Sequence, residues 1–229
     1  MSAPTCYSSI QLCAIRVAEL NSAGSPISGA NRGYVSDAPI KLDIGVELEE
    51  GDEFIQKNGC GAICVNYKDQ DKIKNVTLGL ELCSLDSQLI SLLVGGDTFS
   101  SGGNVIGMQL PAVSGSNDNG VCLEAWSKAW DGTAQAVPSF TSPNAAYYHW
   151  VFPKVKWSLG NITLENGVAV VPVNGVGSEN SRVTANGPFD DWPSPIANAG
   201  GITRVAGWWL DDDLPTASCG FISVTSAAS

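Results

Sequence analysis

Apolar and polar positions alternate along much of this chain, and helical periodicity is confined to one stretch. The clearest alternation covers residues 40–49. Ile40, Leu42, Ile44, Val46 and Leu48 fall on one side, and Lys41, Asp43, Gly45, Glu47 and Glu49 on the other. This predicts a strand with an apolar face on a core and a face in water. Turn-forming residues at 50–53 end it. A second strand is predicted over about 59–67 and a polar turn at 68–71. A third strand follows, with Val76, Leu78, Leu80 and Leu82 on one face and Asn75, Thr77, Gly79 and Glu81 on the other. Residues 10–20 are also apolar and β-leaning. More strand-like runs occur near 105–112, 121–127, 145–158, 161–173, 202–208 and 217–225, separated by Gly-, Pro- and Asn-rich segments such as 175–199.

One helix is predicted, over 84–96. Ser84 is placed to cap it, Asp86 suits its first turn, Leu85, Leu89, Leu92 and Leu93 form its stripe, and Gly95-Gly96 closes it. Many short strands and a single short helix define a mainly β chain, a β-sandwich or barrel with long loops. No internal repeat or linker divides it, so residues 1–229 are read as one domain.

Composition narrows the function. Only 15% of residues are charged, and 12 Lys and Arg against 23 Asp and Glu leave a net charge of −11. Such a chain has no basic grip for duplex DNA, because that binding depends on cations displacing counterions. No run is apolar and long enough for a membrane span. The first ten residues lack the basic and apolar regions of a signal peptide. A reducing cytoplasm is therefore expected during folding. In that setting Cys6, Cys13, Cys60, Cys64, Cys83, Cys122 and Cys219 are expected to be free thiols, several of them packed as small hydrophobes. The sequons at Asn75 and Asn161 then carry no modification.

Catalytic residues are sparse. The one histidine, His149, lies among aromatics in Tyr147-Tyr148-His149-Trp150 and is expected to be packed in a strand. No Gly-x-Ser-x-Gly elbow accompanies it. Cys60 and Cys64 lack the spacing of a zinc knuckle. Asp190-Asp191 and Asp211–Asp213 lack the spaced pattern of a calcium loop and read as solvated charge. Seven tryptophans offer a sugar-stacking surface or core packing. A carbohydrate-binding β-sandwich is thus one alternative function, and a hydrolase using His149 a weaker one. No cofactor and no metal are expected.

The wet, acidic face of strand 40–49 suggests a shape. Sheets of this kind joined edge to edge between subunits would make a pore with an anionic wall and no free edges. Several stretches then resemble the major tail tube proteins of long-tailed bacteriophages, those of actinobacterial siphophages in particular. They are the run from Asp37 to Glu53, Gly59-Cys-Gly with Cys64-Val, the run from Val76 to Gly96, His149 to Trp157, Thr163-Leu-Glu-Asn-Gly, and Gly187-Pro-Phe-Asp-Asp-Trp-Pro. The resemblance covers about residues 35–195 by the order and spacing of these stretches. Residues 97–145 and 200–229, with the segment Trp208–Asp213, are not matched to it and are expected to be outer-surface decoration.

The resemblance implies a tail-tube β-sandwich with a flanking helix and long inter-subunit loops, and no enzymatic activity. It also implies homohexameric rings stacked into a tube that conducts the genome, assembled in the bacterial host cytoplasm and carried in the virion tail. The implied partners are further copies of the chain, the tape-measure protein, tail-end proteins and passing double-stranded DNA, with no membrane insertion. On this reading Asp43, Glu47, Glu49, Thr77 and Glu81 line the lumen. Residues 21–39, which lack periodicity, form a loop that anchors a neighbouring subunit through Ile27, Tyr34 and Val35.

Overall fold

The computed structural model describes residues 8–111, 119–130, 147–163, 170–211, 213–215 and 219–225. The chain is mainly β. Its strands are β1 (Ser8–Glu19), β2 (Gly29–Ser36), β3 (Pro39–Glu49), β4 (Glu53–Lys57), β5 (Ile63–Lys68), β6 (Lys72–Leu82), β7 (Asp97–Ser101), β8 (Asn104–Gln109), β9 (Val121–Trp130), β10 (Tyr147–Leu159), β11 (Val171–Gly177), β12 (Gly207–Asp211) and β13 (Cys219–Val224). Helix α1 spans Ser87–Val94 and the short α2 spans Ser194–Asn198.

Nine strands form one antiparallel sheet in the order β13-β2-β1-β9-β10-β11-β6-β3, with β12 also paired to β10. β10 changes partners along its length. Tyr147–Val151 pair with β12, and Val155–Leu159 pair with β11. The change falls at Pro153, which has no N–H to give to a ladder. There the register with β9 also shifts, between Phe152 and Val155.

The sheet curls, so that one half lies over the other across a core. Ile15, Val17, Leu123 and Phe152 from one half meet Leu78, Leu80, Val171 and Val173 from the other, and α1 plugs the space with Leu89, Ile90 and Leu93. Alternation puts Arg16 and Ala18 of β1, and Leu20 just after it, on the outer face. There Cys122, Val151 and Trp209 pack under a cover, residues 178–206, through Val183 and Trp192. Among the described residues the outer face of β10's second half, β11, β6 and β3 has no such cover.

Four sequence expectations change. Helix α1 is capped by Asp86, not Ser84: its side chain accepts the N–H groups of Gln88 and Leu89, and Leu85, ahead of the cap, is exposed. The segment 21–39 is not a loop throughout, since it contains β2, a strand paired on both sides by β1 and β13. Tyr34 and Val35 are buried in the subunit's own core and Ile27 is half-buried, so the assembly role expected for these three is not available to Tyr34 and Val35. Their short polar-and-glycine neighbours concealed a strand whose two flanking partners supply its stability. The turn after β3 gives way to β4, which pairs β5. Gly102 and Gly103, both at positive φ, make the tight turn of the β7–β8 hairpin.

Candidate functional site

Two features stand out: an uncovered four-stranded face with a protruding arm, and a charge network under the cover.

The register places Lys41 opposite Glu81, Asp43 opposite Gly79, Gly45 opposite Thr77 and Glu47 opposite Asn75. Directly opposed residues share a face, so Asp43, Glu47, Glu49, Thr77 and Glu81 do lie together, on the uncovered outer face. Asn174 and Val176 of β11 and Lys156 and Ser158 of β10 extend it. The wall is less acidic than strand 40–49 alone suggests. Lys41, Lys72 opposite Glu49, and Lys156 share it with the four carboxylates. Lys41 Nζ lies 2.5 Å from Asp43 Oδ2, as expected of a cation on an acidic face. Both side chains are well exposed, and such pairs contribute little stability.

Among the described residues both margins of this patch are open. β3 ends the sheet there, paired with β6. β10's pairing with β9 stops at Val155, which leaves Lys156–Leu159 unpaired on that side among the described residues.

The other face of β3 departs from expectation. Leu42, Ile44 and Val46 pair with Leu80, Leu78 and Val76 of the buried row, yet of these three only Leu42 is half-buried against the core, and from Asp43 on β3 is exposed. Val46 is 57% exposed and Leu48 59%. The reason is position. The core reaches β6, and β3 overhangs beyond it. From there β3–β4 and β5–β6 continue as one long arm, joined by a hydrogen bond from the Asp69 N–H to the Asp52 carbonyl and one from the Gly51 N–H to Asp71 Oδ1. Every residue of β4 and β5 is exposed. Half of the large hydrophobic side chains exposed among the described residues lie on this arm, including Ile44, Val46, Leu48, Phe54, Ile63, Val65, Tyr67 and Ile73. A two-stranded ribbon of this kind is marginal in water by itself. Cys60 and Cys64 sit at its exposed tip. Only Cys122 is fully buried among the described cysteines, so the expectation that several pack as hydrophobes holds for that one.

The charge network was not foreseen, because its members are scattered in sequence and meet only through the register. Arg16 of β1 and Glu124 of β9 are cross-strand partners. Arg16 Nε donates to Glu124 Oε2 at 2.5 Å, and its Nη1 and Nη2 donate to Asp191 of the cover at 2.5 and 2.9 Å. The guanidinium lies between the Trp126 and Phe189 rings. Trp192 Nε1 donates to Glu124 Oε1 at 2.6 Å. His149, 2% exposed, stacks on Trp126 with ring centres 4.0 Å apart and lies 4.2 Å from the Trp209 ring. Its Nδ1 is 3.0 Å from Asp211 Oδ2 and its Nε2 is 3.6 Å from Glu124 Oε1. Burial opposes ionisation of Glu124, but Arg16 and His149 outweigh it and hold the carboxyl down at about 2. Burial likewise disfavours the imidazolium, and the carboxylates of Asp211 and Glu124 prevail, raising the His149 pKa. His149 is thus packed in a strand, inside an ionic cluster that anchors the cover, with its Nε2 near Glu124 but not hydrogen-bonded to it.

Of the tryptophans, Trp126, Trp157, Trp192 and Trp209 are buried, Trp150 is half-buried, and Trp208 is exposed against Trp150. They do not make one continuous stacking face. No cluster of His, Cys, Asp or Glu among the described residues is arranged to hold a metal. No family model and no curated protein matches the chain.

Proposed function

We propose that this chain is the subunit of a stacked-ring tube, a tail tube protein of the kind its sequence resembles. The observation that carries the reading is the four-stranded outer face, open along both margins and continued by an apolar arm. A strand edge left unpaired and a ribbon clothed in exposed Ile, Val, Phe and Tyr are costly in a lone subunit. Joining the β3 margin of one copy to the β10 margin of the next satisfies both. It pairs the unpaired backbone and brings a neighbour against the apolar face of β3. Repeated around a ring, six copies in the resembling family, the join closes the sheet into a barrel with no edges.

In such a barrel the face bearing Asp43, Glu47, Glu49, Thr77 and Glu81 turns to the lumen. Its carboxylates repel phosphates, and the interspersed lysines keep the wall close to neutral. Duplex DNA then neither adheres nor meets a steep barrier. The chain acts without catalysis. Its partners are further copies of itself, a tape-measure protein, tail-end proteins and the passing DNA, with assembly in the host cytoplasm and residence in the virion tail. Sedimentation and negative-stain microscopy of the purified chain test this reading. Rings or tubes are expected across a range of concentrations. A strictly monomeric species that binds glycans would instead favour the carbohydrate-binding alternative, through Trp150 and Trp208.

A further inference from the structure

The ionic cluster beneath the cover has a property that its geometry alone exposes. Its members come from five separate parts of the chain: Arg16 from β1, Glu124 from β9, His149 from β10, Asp211 from β12, and Asp191 with Trp192 from the cover. Two of these pieces, β12 and the cover, are tied to the sheet through the cluster. Among the described residues β12 is a branch strand paired along β10. The cover is fixed at its other end by Asn180, whose Nδ2 donates to the Gly24 and Pro153 carbonyls at 2.7 and 3.1 Å. We propose that the cluster is a proton-operated clamp: an imidazolium at His149 holds β12 and the 187–192 part of the cover on the sheet, and loss of its proton loosens both.

The imidazolium bridges two carboxylates, Asp211 on β12 and Glu124, which in turn receives Arg16 and the Trp192 indole. Deprotonation turns the Asp211 contact from an ion pair into an ordinary hydrogen bond. It also leaves Glu124, wholly buried, with Arg16 as its remaining cation. Removing one charge from a desolvated network is expensive for the others. Burial raises the Cys122 and Cys13 thiols and the Tyr147 hydroxyl, Arg16 is held protonated, and Glu124 is held ionised. Lys128 lies on the same face of β9, and Asp213 donates its backbone N–H to Asp211. The raised His149 pKa sets the direction. The clamp is fully engaged below the ordinary histidine value and is lost as pH rises through the higher folded one. This inference does not depend on tube formation, because the cluster lies under the covered half of the sheet.

The chain has a single histidine, so its imidazole resonance is unique. The experiment follows that resonance by NMR through a pH titration of the wild-type protein. In parallel it measures amide exchange of 187–192 and 207–211 at pH 6 and pH 8.5, with Val76–Leu82 of β6 as internal reference and His149→Gln as the variant. The imidazole midpoint is expected above the ordinary value of about 6.5. The opening constants of both segments are expected to rise with pH by up to about tenfold per unit, the limit for one released proton, while β6 stays constant. His149→Gln should flatten that dependence. An imidazole midpoint at or below the ordinary value overturns the clamp. So does pH-independent opening of the two segments, or an equal response in β6. If His149→Gln does not fold, the wild-type titration and exchange data decide the matter.

Discussion

At the scale of single residues, Arg16 is the most exacting position on the covered face. It serves two carboxylates from one guanidinium, and one of them, Glu124, has no access to water. Arg16→Met keeps the hydrophobic volume but strands Glu124 as a buried charge. It is expected to cost about 3–5 kcal/mol in urea denaturation at pH 7. Glu124 also fixes the acid limb of stability. Its folded pKa, about 2, lies below the ordinary 4.5, so its contribution is present above 4.5 and is lost as pH falls toward 2. Thermal melts should show that loss in the wild type and a much shallower one in Glu124→Gln. A second test concerns Asp86. Its Oδ1 caps α1, and its Oδ2 accepts the Tyr34 hydroxyl. Asp86→Ala is expected to cost about 1–2 kcal/mol and Tyr34→Phe about 1 kcal/mol. A double-mutant cycle should return a non-zero coupling, because each change removes the same bond.

At the scale of elements, strands with regular alternation were legible and those stabilised by neighbours were not. β3 and β6 follow directly from period-2 patterning, and β9 and β10 from dense β-branched and aromatic runs. β2 was hidden: Gly29-Ala-Asn-Arg-Gly has no apolar rhythm, and the strand exists because β1 and β13 pair with both its edges. Deleting residues 24–34 removes this strand from between its partners. The expected result is loss of the folded monomer by circular dichroism, not a soluble subunit that fails to assemble. The pattern also misplaced the apolar face of β3. Alternation says which side is apolar, but not whether the subunit's own core reaches it. That distinction yields a cleaner assembly test. Val46→Lys and Leu48→Lys alter side chains already in water, so the monomer's unfolding free energy should change by no more than about 0.5 kcal/mol. Sedimentation should show that the same variants no longer form rings.

At the scale of the whole molecule, the sheet is one surface used in two ways. Its inner face closes on a core. Half of its outer face is sealed by the 178–206 cover and its ionic cluster, and the other half is bare, polar and open at both margins. The sequence showed the polar row with Lys41 but not its other two lysines, since Lys72 and Lys156 join it through the register with β3 and β11. It likewise missed the ionic cluster, in which Arg16 and its partner Asp191 alone lie 175 residues apart.

The central claim is that copies join margin to margin with this bare face turned inward. A cryo-EM reconstruction of the assembled protein tests it most directly. The account predicts a closed barrel in which β3 of one subunit runs beside Lys156–Leu159 of the next, with Asp43, Glu47 and Glu49 on the lumen wall. An assembly that places those carboxylates on the outer surface, or leaves the β3 edge unpaired, would contradict it.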